Sequence, residues 1–360
     1  MIDEPNAVAP NAVAPHPATA NPAAGRDAPP LVEVSDLRVE VRTPGSRLTI
    51  LHGLDFSLEA GKVLCVLGES GSGKSMTMRA LMRLVPASAT ISGRVRIDGI
   101  DVLALREREL ARIRGALVAM IFQEPATALD PTFTIGHQIA ETVRAHEGAS
   151  WERARRRALD LLELVQVPSA ARRLQAYPHE LSGGLRQRAM IALALSCRPK
   201  VLIADEPTTA LDATVQIQVL LLLRELQREL GMATLFVTHD VGVACEIADE
   251  VAVMYAGRIV EHGTTEEVLA RPRHPYARGL LRSVVTSELV GSRLEPIPGS
   301  PPDLAALPPG CSFAPRCAHA EALCAAAMPP ILPATPSHLV RCARTGELDR
   351  PVSRAEEVVR

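Results

Sequence analysis

Aromatic residues and lysines are both scarce in this chain of 360 residues. Aromatic residues make up 2% of the sequence and hydrophobic residues 47%, so any core must be built mainly from Ala, Val, Leu and Ile. Only three of the 39 basic residues are lysines, namely Lys62, Lys74 and Lys200. A lysine inside a sequence motif is therefore not an accident of composition.

Long apolar runs and a strong net charge are also missing. No segment approaches the roughly eighteen apolar residues of a membrane span, so a partner chain would have to cross any membrane at which the protein works. A net charge of -2 gives no electrostatic reason to expect nucleic acid as a partner. Asp3 and Glu4 stand where a secretory signal would be positive, and no apolar segment follows, so we expect no export.

The chain is too long for one compact core of ordinary size, which predicts a large domain with appendages or two domains. Residues 1–30 contain the tandem NAVAP repeat from Asn6 to Pro15 and have little to bury. We predict that they form a disordered tail.

The sequence GESGSGKS predicts a phosphate-binding loop. It consists of Gly68, Glu69, Ser70, Gly71, Ser72, Gly73, Lys74 and Ser75, between an apolar strand at 63–67 and a helix predicted over 75–84. The glycines allow backbone N–H groups to point inward and surround an anion. Lys74 would contact the β and γ phosphates as a compact charge, and the Ser75 hydroxyl would ligate Mg²⁺.

The rest of the first 270 residues alternates between apolar strands and amphipathic helices. Strands are predicted over residues 31–41, 48–58, 94–97, 116–122, 201–204, 233–238, 251–255 and 258–261. Helices are predicted over residues 105–114, 151–165, 184–197, from Asp212 to 230, and 264–270. The pattern predicts an α/β fold.

Polar residues follow several of these strands directly. Asp205 and Glu206 close the strand at 201–204, where α/β proteins place their chemistry. Asp205 would hold Mg²⁺ through water, and Glu206 would act as general base toward the attacking water. Gln123, at the end of another strand, could contact Mg²⁺ or the water, and His239 could contact the γ-phosphate. Taken alone, a glutamine at a strand end such as Gln123 is usually only a surface residue, and a lone histidine such as His239 is more often structural.

The segment LSGGLRQR, residues 181–188, begins a helix. Ser182 is a suitable N-cap, and Gly183 and Gly184 leave backbone N–H groups bare, so the segment is a candidate anion site without a lysine. The alternative is an ordinary serine cap with glycine hinges.

Beyond residue 271 the composition changes. Eleven prolines between Pro296 and Pro336 predict sparse regular structure. Four cysteines follow the spacing C-x5-C-x6-C-x17-C, at Cys311, Cys317, Cys324 and Cys342. A disulfide is disfavoured inside cells, so a metal and free thiols are the two interpretations. The spacing matches neither a zinc knuckle nor a ferredoxin run.

In their order, the loop, Gln123, LSGG, Asp205–Glu206, the residues leading to Asp212, and His239 resemble the ATP-binding-cassette (ABC) ATPases of membrane transporters. The resemblance implies a RecA-like α/β core with an antiparallel β subdomain and a helical subdomain at about 133–197. It divides the chain into the tail, an ATPase domain at 31–271 and an extension at 272–360. It also implies that ATP and Mg²⁺ lie between the loop of one cassette and the signature segment Ser182–Gly184 of a second, with Asp212 among the nucleotide-binding residues.

Two positions depart from the family pattern. Leu185 stands where a glutamine is usual after LSGG. An apolar residue followed by RQR at this point resembles the peptide-importer subgroup. No aromatic residue precedes Phe56, so the ring that commonly stacks on adenine is missing, and Val41 or its neighbours would offer only apolar contact. Use of GTP therefore stays open.

Three C-terminal motifs resemble the extension of ATPase subunits of dipeptide, oligopeptide and nickel importers: HPYARGLL, IPGSPPDL and GCSFAPRC. The resemblance implies a peripheral subunit at the cytoplasmic face of the inner membrane. Its partners would be two permeases, a second and usually non-identical ATPase, and an extracytoplasmic binding protein. It further implies that the four cysteines could hold a 4Fe-4S cluster of structural role.

Other functions stay open at this point. Peptides are the expected cargo, with nickel or another small solute as the alternative. A cassette protein of DNA repair or translation is a second class, although the chain has neither a coiled-coil insertion nor two cassettes. A metal- or redox-sensing regulator built on the cysteines is a third.

Overall fold

A computed structural model describes residues 29–209, 211–283 and 296–348. Most of the predicted N-terminal tail, Ala210, and the end of the extension lie outside these ranges. Within them, no helix is both long enough and apolar enough to cross a bilayer.

The chain begins with an antiparallel sheet. Its strands are β1 (Val32–Thr43), β2 (Ser46–Leu58), β4 (Ala89–Ile97) and β5 (Ile100–Asp101), in the order β2-β1-β4-β5. A tight turn joins β1 to β2, because Thr43 pairs with Ser46 and the register runs back to Val32 opposite Leu58. The strand predicted over residues 94–97 begins five residues earlier, at Ala89.

A second sheet of eight strands runs through the centre of the protein. Its eight strands are β3 (Val63–Leu67), β6 (Val118–Ile121), β7 (Val201–Asp205), β8 (Ala233–Thr238), β9 (Glu250–Tyr255), β10 (Arg258–Thr264), β11 (Leu332–Thr335) and β12 (His338–Val340). The order is β11-β12-β10-β9-β3-β8-β7-β6, and the five strands from β9 to β6 are parallel. The carboxyl ends of β3, β6, β7 and β8 therefore lie at one edge, as the sequence predicts.

Helices cover the central sheet and form the predicted helical region. They are α1 (Lys74–Leu81), α2 (Glu107–Ile113), α3 (Pro125–Ala128), α4 (Ile135–Glu147), α5 (Trp151–Leu164), α6 (Ala170–Arg173), α7 (Gly183–Ala194), α8 (Ala213–Leu230), α9 (Val241–Ile247), α10 (Pro275–Arg282), α11 (Ala322–Ala326) and α12 (Thr345–Leu348). A π-helical turn, Glu266–Ala270, replaces the short helix predicted at 264–270. Thr134 and Ser150 cap α4 and α5 through their hydroxyls, which fixes where these helices begin.

The core is aliphatic, as the shortage of aromatic residues predicts. One buried cluster joins the helical region to one face of the central sheet, and the other fills the space between the two sheets. Of the large aromatic side chains in the first cluster, Tyr255, Tyr276 and Phe313 pack against each other with ring centroids 4.6 to 5.4 Å apart. Two of these rings, Tyr276 and Phe313, come from the C-terminal part of the chain.

The C-terminal extension is joined to the central sheet by a hairpin that the sequence pattern did not indicate. Strand β12 pairs with β10 through Glu261 opposite Val340, and β11 adds the outermost strand. Pro333 lies in β11, at an edge where a missing N–H costs no ladder hydrogen bond. The rest of the extension has little regular structure, as predicted from its prolines.

A buried carboxylate fastens this extension to the sheet. Glu261 is 0% exposed and accepts hydrogen bonds from the backbone N–H groups of Arg273 and His274, both at 2.8 Å. Its Oε1 also lies 2.6 Å from Nε2 of His338, which is likewise buried. Two separate segments, at residues 273–274 and at His338, therefore depend on this one side chain of β10 for a polar partner.

Replacing this carboxylate should destabilise the fold. Glu261→Ala leaves buried donors without an acceptor, and we expect a loss of about 3 kcal/mol in the free energy of unfolding. The control is Glu266→Ala, which removes an exposed ion pair with Arg271 and should cost less than about 0.5 kcal/mol. Denaturant unfolding of both variants tests this, and equal stabilities would contradict the role assigned to Glu261.

Candidate functional site

The loop between β3 and α1 is shaped by close contacts that exclude side chains. A Cβ atom on Gly68 would lie 2.4 Å from the carbonyl oxygen of Met254, and one on Gly73 would lie 2.9 Å from a methyl group of Leu51. Gly71 and Gly73 also have φ values of 77° and 104°, in the left-handed region. The loop can therefore pass close to its neighbours only with glycine at these positions.

Lys74 lies inside the curve of the loop. Its side chain donates to the carbonyl oxygens of Gly68 at 2.7 Å and Glu69 at 2.9 Å, and the residue is 5% exposed. Burial lowers the pKa of Lys74, while the carboxylates of Glu206, Asp205 and Glu69 oppose this shift. The ammonium group is thus held where its neutral carbonyl partners can be exchanged for an anion.

Two further hydroxyls of the loop have distinct environments. The Oγ of Ser75 donates to Oδ1 of Asp205 at 2.9 Å, which joins α1 to the end of β7. Burial raises the pKa of Asp205, and the hydrogen bond from Ser75 opposes that shift. The Oγ of Ser72 is buried without a hydrogen-bond partner. A hydroxyl beside a carboxylate is a ligand pair that suits Mg²⁺.

Glu206 receives three polar side chains at one carboxylate oxygen. Its Oε2 accepts from the Gln123 amide at 3.3 Å and the Thr209 hydroxyl at 2.9 Å, and it lies 3.4 Å from Nδ1 of His239. The backbone of Glu206 has a φ of 46°, a conformation that non-glycine residues rarely adopt. The end of β7 turns sharply and aims this carboxylate along the sheet edge.

The contact from Thr209 is absent from the sequence interpretation. The only signal for it is a hydroxyl three residues after the acidic pair, which is common in turns and carries no functional meaning alone. In the structure it helps to fix the orientation of Glu206.

The loop and three side chains that follow other strands line one open cleft of about 740 Å³. Its polar part is formed by the loop with Gln123, Glu206 and His239, and its apolar members are Ile50, Met76, Leu280 and Leu304. Val41, predicted to offer an apolar contact, does not line the cleft. Ile50, on the paired strand β2, faces the cleft instead, because β2 rather than β1 runs beside the loop.

The signature segment lies away from this cleft. Ser182 is exposed at the N-cap of α7, and its side chain makes no capping hydrogen bond. A Cβ on Gly184 would lie 2.7 Å from a methyl group of Val215, so glycine is required for α7 to pack on α8. Gly183 lines a separate cavity together with Gln123 and Gln187. One chain therefore does not bring its own signature segment to its own loop.

Asp212 also has a local structural contact. Its side chain caps α8 by accepting from the backbone N–H of Val215 at 3.0 Å, and it does not line the cleft. The nucleotide contact expected from the resemblance is therefore not formed within a single chain.

The four C-terminal cysteines meet at one small cavity. Cys311, Cys317, Cys324 and Cys342 all line it, beside His274 and His319. Burial raises the pKa of Cys311, Cys317 and Cys342, and backbone N–H groups near each sulfur oppose the shift. Among the described residues, however, no three His, Cys, Asp or Glu side chains are placed to hold a metal ion. The metal interpretation stays a prediction.

Two family models match the chain. Residues 51–209 match the ABC transporter model, and residues 260–324 match the C-terminal region of oligopeptide/dipeptide transporters. The first match contains the loop, Gln123, the signature segment and the acidic pair, and the second contains the first three clustered cysteines.

Relatives with names and solved structures extend these matches. The chain is 47% identical over 317 residues to the oligopeptide transport ATP-binding protein OppD of Salmonella typhimurium, covering 88% of this chain and 94% of the relative. It is 44% identical over 314 residues to the dipeptide transport ATP-binding protein DppD of Bacillus subtilis, covering 87% and 94%.

A solved structure shares the fold. The dimeric ATP-binding cassette MJ0796, in a post-hydrolysis state with ADP and Pi, aligns with a TM-score of 0.59 and 29% identity, covering 65% of this chain and 98% of that one. CbiO1 of Clostridium perfringens aligns with a TM-score of 0.58 and 26% identity over 67% of this chain and 91% of its own. The sequence matches, the shared fold and the arrangement of the cleft agree, and the chain belongs to the ATP-binding proteins of the ABC transporter family.

Proposed function

We propose that this chain is the ATP-hydrolysing subunit of an importer that takes up dipeptides or oligopeptides through partner permeases. The observation that carries the proposal is that Lys74, Ser75 and Glu206 line one cleft at the carboxyl edge of the parallel sheet, with the buried Asp205 accepting a hydrogen bond from Ser75. The similarity to OppD and DppD, which are oligopeptide and dipeptide transport ATP-binding proteins, supports the peptide cargo.

The chemical roles follow from these positions. ATP would bind with its β and γ phosphates against Lys74 and the backbone N–H groups from Gly68 to Ser75. Mg²⁺ would be held by Ser75 and Gln123 directly and by Asp205 through water. When bound, the ion neutralises phosphate charge during transfer. Burial of Asp205 suits this role, because a buried carboxylate gains most from a bound cation.

Glu206 would accept the proton of the attacking water. Gln123, Thr209 and His239 all approach its Oε2, so the carboxylate is held in one orientation before substrate binds. His239, whose side chain is 57% exposed, is free to turn toward the γ-phosphate. Catalysis here is mainly positioning and charge stabilisation.

A second cassette is needed to complete the site. Ser182, Gly183 and Gly184 are outside the cleft, and the exposed Ser182 hydroxyl makes no bond to its own helix. They would supply N–H groups and a hydroxyl to ATP on the loop of a facing, usually non-identical ATPase, and Asp212 would join that interface. The solved structure of MJ0796, a structural relative, is dimeric.

The membrane partners would be two permeases and an extracytoplasmic binding protein, with this chain peripheral at the cytoplasmic face. The cavity beside Gln123 and Gln187 lies between the core and the helical region, where a permease segment would be received. Because the cargo is bound by other chains, nickel or another small solute remains the alternative cargo.

Adenine recognition would rest on apolar contacts from Ile50 and Met76.

Glu206→Gln should separate binding from hydrolysis. The amide keeps the shape and most hydrogen bonds of the side chain but cannot accept the proton, so turnover should fall by about 10²-fold or more while ATP binding persists. Phosphate release by the assembled transporter and calorimetric ATP binding measure the two effects. Glu229→Gln, on the exposed end of α8, is the control and should match the wild type.

The same variant tests the cargo. Cells carrying Glu206→Gln should lose uptake of a labelled tripeptide and keep uptake of labelled nickel. Loss of nickel uptake alone would replace the peptide assignment with the alternative. Hydrolysis at the wild-type rate would remove Glu206 from the general-base role.

We further propose that the four cysteines hold a 4Fe-4S cluster. The observation in favour is that all four sulfurs line one cavity, with backbone N–H groups directed at several of them, as is usual around cluster sulfurs. A cluster spaces its thiolates further apart than a single ion does, which suits sulfurs that share a cavity without meeting at one point. Its role would be to hold a proline-rich segment that buries little apolar area.

An iron and sulfide assay tests this proposal. Protein purified without oxygen should contain about four iron and about four sulfide per chain, and Cys317→Ser should lose most of both. Cys245→Ser, an exposed cysteine of α9, is the matched control and should retain them. Wild-type protein without iron, with all seven thiols titratable, would favour free thiols.

A further inference from the structure

The phosphate loop is tied to the C-terminal extension by a bidentate ion pair. Nη1 of Arg316 lies 2.7 Å from Oε2 of Glu69, and Nη2 lies 3.0 Å from Oε1. The arginine side chain is 6% exposed and that of Glu69 is 25% exposed. Such a pair is directional and only weakly screened, unlike the exposed pairs on the surface.

Three separate groups of Glu69 are hydrogen-bonded to other residues. Its carboxylate accepts from Arg316, its backbone N–H donates to the hydroxyl of Tyr276 at 2.8 Å, and its carbonyl accepts from Lys74 at 2.9 Å. Tyr276 is fully buried, so the hydroxyl that meets the loop is in a fixed position. Two of the three restraints come from beyond residue 271, and the third is the phosphate-binding lysine itself.

The extension supports Arg316 from several sides. Its Nε donates to the carbonyl oxygen of Pro298 at 2.8 Å, and its guanidinium lies 5.9 Å from the ring centroids of Tyr255 and Phe313. Arg316 ends the short turn Ala314–Arg316, between the first two clustered cysteines. The guanidinium therefore has little freedom to follow a displaced loop.

The extension also forms a wall beside the first half of the loop. Pro301, Pro302, Asp303 and Leu304 line a cavity of about 320 Å³ that is shared with loop residues 69–72 and with Leu48 of β2. Leu304 also lines the main cleft. The extension therefore lies beside the first half of the loop, although Ser70 and Gly71 themselves stay exposed.

We infer that Arg316 is a positioning residue for nucleotide binding, which acts through Glu69 to hold the phosphate loop in its binding shape. This inference rests on the proposed function, since it takes the loop as the ATP site. The alternative is that the pair only fastens the extension to the core. The alternative does not account for the hydrogen bond from Lys74 to the carbonyl oxygen of Glu69. Through that bond, a shift of Glu69 would displace Lys74, which would hold phosphate.

Equilibrium binding of Mg²⁺-ATP to the full-length chain, measured by calorimetry, tests the inference. Arg316→Ala should raise the Kd at least about tenfold, and Arg316→Lys should raise it about threefold, because lysine can make only one of the two bonds. Glu69→Ala should weaken binding while leaving the extension unaltered. The double variant should bind no more weakly than the weaker single variant, because both changes remove one interaction.

A matched control separates positioning from simple loss of folding. Arg344→Ala removes another arginine–glutamate pair of the extension, with Glu321, and should leave the Kd within about twofold of the wild type. In the assembled transporter, Arg316→Ala should raise the KM for ATP while kcat at saturation changes less than about threefold.

The inference is overturned if the wild type binds ATP and the Kd of Arg316→Ala lies within about twofold of the wild-type Kd. It is also overturned if Arg344→Ala loses as much affinity for ATP as Arg316→Ala does. Wild-type protein that binds no ATP, with its cognate subunits supplied, would instead overturn the proposed function itself.

Discussion

The parallel arrangement of five central strands is the constraint on which the rest of the molecule depends. It brings the carboxyl ends of β3, β6, β7 and β8 to a single edge, although their end residues are far apart in the sequence. The loop, Gln123, the acidic pair and His239 each follow one of those strands. Their meeting in one cleft is a consequence of topology, and no segment could form this site alone.

Sequence reasoning predicted most of this arrangement because the strands are short apolar runs and the chemistry follows them directly. The loop, the strand at Val63–Leu67 and the strand at Ala233–Thr238 have the predicted bounds. The strands predicted over residues 31–41 and 48–58 are present as the first hairpin, each extended by two residues toward the turn. Strong local patterns and one rule about sheet edges were sufficient for these elements.

Interactions between distant segments could not be predicted in the same way. Arg316 and Glu69 are 247 residues apart, and neither has a neighbour pattern that indicates the other. The hairpin of β11 and β12 joins the central sheet through a buried glutamate that looks like any polar residue of a strand. Thr209 contacts Glu206, and Ile50 faces the cleft, because of turns and strand pairing that residue types do not specify.

The extension lines the cleft as well as being attached to the sheet, because Leu280 and Leu304 face the cleft. Its rings pack on Tyr255, its prolines line a cavity beside the loop, and its arginine contacts the residue that follows Gly68. A chain cut after the cassette would lose these contacts, although all the nucleotide-binding motifs would remain.

The most direct test of the account is a titration of the full-length protein with Mg²⁺-ATP, compared with a Lys74→Ala variant. The account predicts saturable binding by the wild type and affinity at least about tenfold weaker in the variant, because the buried ammonium is the main charge facing the phosphates. Equal affinity of the two proteins, or no binding by the wild type in the presence of its cognate subunits, would contradict it.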